Sequence, residues 1–147
     1  MKANELMIGD WVHVKAHRGF NAQNIKVETI PDNDGDNEYG HHYGHIGAWL
    51  EGGDNDFRDV EAKHLQPIPL TNGILEKNFQ EFLPGINLMY QLKGPYCIMN
   101  EDENRWVFGL VKVDGENSAR YPLVKISFVH ELQHALRLCG IDKTIEL

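Results

Sequence analysis

The sequence predicts an α+β protein: an N-terminal SH3-like or small β-barrel module, a short helix, an antiparallel β-meander and a C-terminal helix that packs on it. Three observations carry this reading. Short β-type segments separated by Gly, Asp and Asn turns crowd the stretch from Trp11 to Leu65. A proline-stiffened connector, Pro67-Ile68-Pro69-Leu70, follows. Beyond it lie further strand segments and one amphipathic helical stretch. The chain has 147 residues, 41% hydrophobic and 24% charged, with three Trp, five Tyr and six Phe. Those large side chains suffice for a core, so disorder throughout is excluded.

The elements follow in order. Gly9-Asp10 marks a turn, and Trp11-Val12-His13-Val14-Lys15 reads as a strand. Ile25, Val27 and Thr29 alternate with Lys26 and Glu28, the period of a half-buried strand. From Pro31 to Tyr43 the residues are mostly Asp, Asn, Gly and His, which predicts a long mobile loop. His45 to Leu50 is a third strand, Gly52 to Asp56 a turn, and Asp59 to Leu65 a last strand or helical turn. Residues 1–66 form the first predicted module and 67–147 the second, either separate or packed as one continuous domain.

In the second module Thr71 is placed to cap a short helix through Ile74, Leu75, Asn78 and Phe79. Strands are expected at Leu88–Lys93, Pro95–Asn100, Arg105–Val113 and Leu123–Ser127. The last helix runs from Ser127 to Cys139 and stops at Gly140. Phe128, Leu132, Ala135, Leu136 and Cys139 make its apolar stripe, and His130, Gln133, His134 and Arg137 its polar face.

Charge and cysteines narrow the function classes. The net charge is −8, and all of it lies in residues 31–62, where nine acidic groups face only Arg58. Such a surface repels a phosphate backbone, so broad nucleic-acid binding is disfavoured. No apolar run reaches the roughly 20 residues that span a bilayer, and the N-terminus lacks a secretory signal. A cytoplasmic location is therefore expected. Cys97 and Cys139 lack C-x-x-C spacing and read as buried thiols. Trp11, Trp49 and Trp106 read as core residues more readily than as a stacking platform.

One motif carries possible chemistry. His130-Glu131-Leu132-Gln133-His134 matches H-E-x-x-H, which sets two imidazoles one helical turn apart with a carboxylate to polarise a metal-bound water. A zinc-dependent hydrolase would use His130 and His134 as ligands and Glu131 as catalytic base. A catalytic zinc needs a third protein ligand. The 13 residues after His134 hold no His, and Arg137 and Gly140 stand where an extended motif places Gly and His. A weaker metal candidate is His41, His42 and His45, within five residues. Asp32 to Asp36 starts like a calcium loop, but Asn37 and Tyr43 occupy its glycine and glutamate places. Ser118 and Ser127 are the only serines, and neither lies in a nucleophile motif.

Three segments carry a resemblance: Met1 to Val12, Leu65 to Thr71 with Ile74 to Lys77, and Val129 to Gln133. Together they resemble a family of small proteins without an assigned activity, from gut bacteria and their phages and mobile elements. That family's closing helix reads His-x-Leu-Gln-Asn, usually with Gln second. The resemblance implies that Glu131 and His134 are incidental and that His130, Leu132 and Gln133 are structural. The expected function is a non-catalytic binding or accessory role with a protein partner, no cofactor and no catalytic residue, the zinc hydrolase being the alternative.

Overall fold

The computed structural model describes residues 5–16, 21–30, 45–49, 57–83, 89–102, 105–114 and 117–147. The protein is α+β, with antiparallel sheets and two helices among the described residues. It divides into two compact units, Met1–Ile68 and Pro69–Leu147.

In the first unit β1 (Trp11–Val14) pairs with β2 (Gln23–Lys26) on one side and β5 (Leu65–Gln66) on the other. A second sheet joins β3 (His45–Trp49) to β4 (Phe57–Glu61). An antiparallel bridge joins Thr29, just past β2, to Gly47 of β3. A 3-10 turn, Ala62–His64, precedes β5. The period of two explains which residues turn inward. Val12, Val14, Ile25, Val27, Ile46, Ala48, Val60 and Leu65 are all buried in one cluster. Gly9 enters β1 at φ 88°, a left-handed conformation that suits glycine. Its N–H reaches Val27 O at 2.6 Å, and the buried Asp10 carboxylate accepts the Met7 N–H at 2.8 Å. Among the described residues these strands form two sheets rather than one closed barrel.

The second unit opens with α1 (Asn72–Asn78), whose Ile74 N–H is capped by Thr71 Oγ1 at 3.3 Å. A five-stranded sheet follows: β6 (Glu81–Leu83), β7 (Met89–Gln91), β8 (Tyr96–Asp102), β9 (Arg105–Asp114) and β10 (Asn117–Ile126), in the order β10-β9-β8-β7-β6. Its centre is buried on both faces. Met89, Cys97, Met99 and Val107 cluster on one face, while Tyr90, Ile98, Trp106 and Phe108, one residue out of phase, are buried on the other.

β6 is absent from the sequence expectation, and β10 starts six residues earlier than the strand predicted there. Both depend on a neighbour. Asn117 to Tyr121 looks like turn sequence, and becomes strand by pairing with Leu110 to Asp114 of β9.

The last helix, α2 (Val129–Leu138), ends in a Schellman motif. Gly140 adopts φ 65°, its N–H bonds Arg137 O at 3.0 Å, and the Ile141 N–H bonds Leu136 O at 2.9 Å. Leu132, Ala135 and Leu136 are buried as predicted. The polar face needs correction: His130 and Gln133 are buried, at 7% and 5% exposure. They flank Val129, Leu132 and Leu136 on the helical wheel, so a deeply seated helix covers them too.

Candidate functional site

The H-E-x-x-H segment occupies the first two turns of α2, and local backbone needs explain most of its geometry. A helix start leaves four N–H groups without intrahelical partners, and the preceding peptide groups also need acceptors. Glu131, at the third helical position, folds back to supply one. Its Oε2 accepts the Ser127 N–H at 2.7 Å and the Phe128 N–H at 3.2 Å. This is the carboxylate half of a capping box. The oxygen that a hydrolase would aim at a metal-bound water is here tied to the backbone.

His130 is buried and lies nearly parallel to the Phe128 ring, with centroids 5.9 Å apart and planes 11° apart. His134, half-buried, meets His130 edge-on, at 5.8 Å and 80°. The i, i+4 spacing thus brings the two imidazoles together, as predicted. Among the described residues no group of three or more His, Cys, Asp or Glu side chains is placed to hold a metal. His41 and His42 lie outside the described residues. The His45 backbone pairs with Glu61 in β3–β4, and its side chain is outside them as well. The predicted mobile loop, from Pro31 to Tyr43, also falls outside.

The thiols differ from one another. Cys97 is buried beside Met89, Met99 and Val107. Burial pushes its thiol pKa up, and the Arg120 charge pulls the other way. Cys139, half-buried just past α2, shares a hydrogen bond with the Tyr96 hydroxyl on β8. That bond, then the charge on the sulfur when ionised, then burial raise the Tyr96 pKa. α2 packs against β10.

Two features escaped sequence reasoning. Asn78, buried at 7%, grips the backbone of Glu146: its Nδ2 donates to Glu146 O at 2.7 Å and its Oδ1 accepts the Glu146 N–H at 2.8 Å. Nδ2 also donates to Ile74 O at 2.8 Å. The only sequence signal was a polar residue in line with buried Leu75 and Ile74 on a short helix. The second is β10, where every described side chain from Ser118 to Lys125 is exposed. Among these, Tyr121, Leu123 and Val124 are large and apolar. A strand with both sides wet has no periodicity to betray it.

Together the fold and the site define a two-unit α+β protein with a helix-capping glutamate, an edge-on histidine pair and, among the described residues, an exposed apolar edge strand. No protein-family model, curated protein or solved structure matches the chain significantly. No helix among the described residues is long and apolar enough to cross a membrane.

Proposed function

We propose that this chain is a non-catalytic binding or accessory protein, acting in the cytoplasm through a protein partner in the service of a mobile element. The observation that carries the non-catalytic reading is the engagement of Glu131. A water-polarising base directs a carboxylate oxygen at the metal-bound water, whereas Glu131 turns its Oε2 to two backbone N–H groups. The SH3-like reading of the first unit draws support from the strand arrangement. β5 pairs with β1 and β1 with β2, a bridge joins Thr29, just past β2, to β3, and a 3-10 turn precedes β5. A five-stranded SH3-like barrel has the same succession of neighbours, and such barrels commonly serve as binding modules.

The zinc hydrolase is retained as a second reading on one observation, the 5.8 Å approach of the His130 and His134 rings. Metal analysis of protein purified without a nickel column separates the two. The proposed function expects no stoichiometric zinc, and no change in metal content for His134→Ala. One zinc per chain that disappears in His134→Ala would establish the alternative.

A further inference from the structure

We propose that β10 is the docking edge of this binding protein, and that its occupant is an extended acidic segment of another protein, added to the sheet as a sixth strand; the proposal rests on the binding-module reading above. An edge strand leaves a row of backbone N–H and C=O groups unpaired, which is a template for a further strand. β10 is such an edge, ten residues long, with β9 as its only neighbour among the described residues. It differs from a merely solvated edge in its side chains. Tyr121, Leu123 and Val124 are 51%, 56% and 48% exposed, and among the strand residues whose burial is described they are the large apolar ones left exposed.

The charge on the strand selects the occupant. β10 contains Arg120 and Lys125 and no acidic residue, within a chain of net charge −8. Arg120 and Lys125 share one face of the sheet, opposite Val111 and Val107, while Tyr121 and Val124 share the other, opposite Leu110 and Phe108. Lys125 is 3.3 Å from Glu101, an exposed pair that screening makes weak. A second copy of this chain is a poor fit. Antiparallel self-pairing would gather four cations on one ladder. It would also bring together two prolines without N–H groups, Pro122 in each copy, beside the bulge between Pro122 and Val124. A segment alternating acidic with apolar residues meets both needs: carboxylates on the face of Arg120 and Lys125, apolar side chains on the face of Tyr121 and Val124.

The test is a titration of isotope-labelled full-length protein, followed by backbone amide shifts. One capped peptide of about ten residues alternates Glu with Val and Thr; its partner has Lys for Glu. The expected result is that the Glu peptide shifts amides of residues 117–126, while the Lys peptide does not. Affinity should fall at least about tenfold in about 0.5 M salt, and be lost in the double variant Arg120→Glu, Lys125→Glu. Both positions are exposed, so an unchanged thermal melt confirms that this variant folds. Absence of shifts at millimolar Glu peptide, shifts centred elsewhere, or equal binding of the Lys peptide would overturn the proposal. So would a concentration-dependent dimer that broadens the β10 amides, which would make a second copy the occupant. These outcomes leave the non-catalytic reading standing, because that reading fails only on zinc dependent on His134.

Discussion

β9 and β10 are neighbours of equal length, paired along nearly all of it, yet they live in different environments. On β9, Trp106, Val107, Phe108 and Gly109 are buried in succession; on β10, Ser118 to Lys125 are exposed in succession. Neither alternates, although alternation is the usual mark of a strand. Both contain Val and Leu beside an aromatic residue and a Lys. Composition therefore does not separate them; place in the sheet does. Among the described residues β9 has a strand on each side and a centre buried on both faces, while β10 has one neighbour. The comparison teaches that where a strand binds a partner can depend on what the fold leaves uncovered.

The sharpest way to break this comparison uses one cross-strand pair, Phe108 and Val124. Phe108 is 2% exposed and Val124 48%. Phe108→Ala should cost about 3–5 kcal/mol, through lost transfer energy and the cavity left behind. Val124→Ala should stay within about 0.5 kcal/mol. Urea denaturation of the two variants checks this, and comparable losses would show that β10 is covered in solution.

A smaller effect is expected where the two strands touch most closely. A Cβ on Gly109 would lie 2.5 Å from Tyr121 O, 2.7 Å from the Met99 methyl and 3.2 Å from Pro122 Cα. The methionine end can move, but the backbone of β10 must shift. Gly109→Ala should cost about 1–3 kcal/mol, with amide shifts concentrated at the Pro122–Val124 bulge. An unperturbed bulge would mean that β10 is held by something other than its pairing with β9.

Of similar or lesser size is Asn78→Ala, which tests a polar link far from this edge. It leaves the Glu146 N–H and C=O without the partners they have now, at a cost of about 1–2 kcal/mol. Hydrogen exchange should then speed up at Glu146 while β9 amides keep their protection. A uniform loss across the sheet would place Asn78 in the global core instead.

The smallest expected effect is a pH dependence. Burial raises the Cys97 pKa, so the folded protein favours the neutral thiol. That contribution is whole below the unfolded thiol value and is lost as pH rises through the raised folded value. Tyr96 shifts in the same direction. The urea midpoint should therefore fall on the alkaline side, above pH about 9, and the slope should flatten in Cys97→Ala. A midpoint that rises with pH there would contradict the burial of Cys97.

Much of the fold was legible because it is written in local pattern. Alternation at Val12 and Val14 and at Ile25 and Val27 names buried strand positions. Thr71 and Gly140 bound their helices through caps that span three to five residues. The role of Glu131 was not legible, because the N-cap is Phe128 rather than the Ser or Thr that marks a capping box, and Ser127 stands one place too early. The reading of His130 and Gln133 as a polar face was wrong because polarity indicates a preference for water, whereas burial is settled by how deeply the helix seats.

By itself, then, the sequence determined the α+β class, the helix ends, the approach of His130 to His134 and the inward Ile25 and Val27 of the second strand segment. Each follows from the helical period, the strand period or a turn conformation, all set within a few residues. Only the tertiary structure decided that β10 runs from Asn117, that its Tyr121, Leu123 and Val124 stay exposed, and that Asn78 holds Glu146. Those outcomes depend on which strand lies beside which, and on contacts such as the one bridging 68 residues between Asn78 and Glu146. No local pattern encodes them, because the free energy that selects them belongs to the assembled sheet and helices.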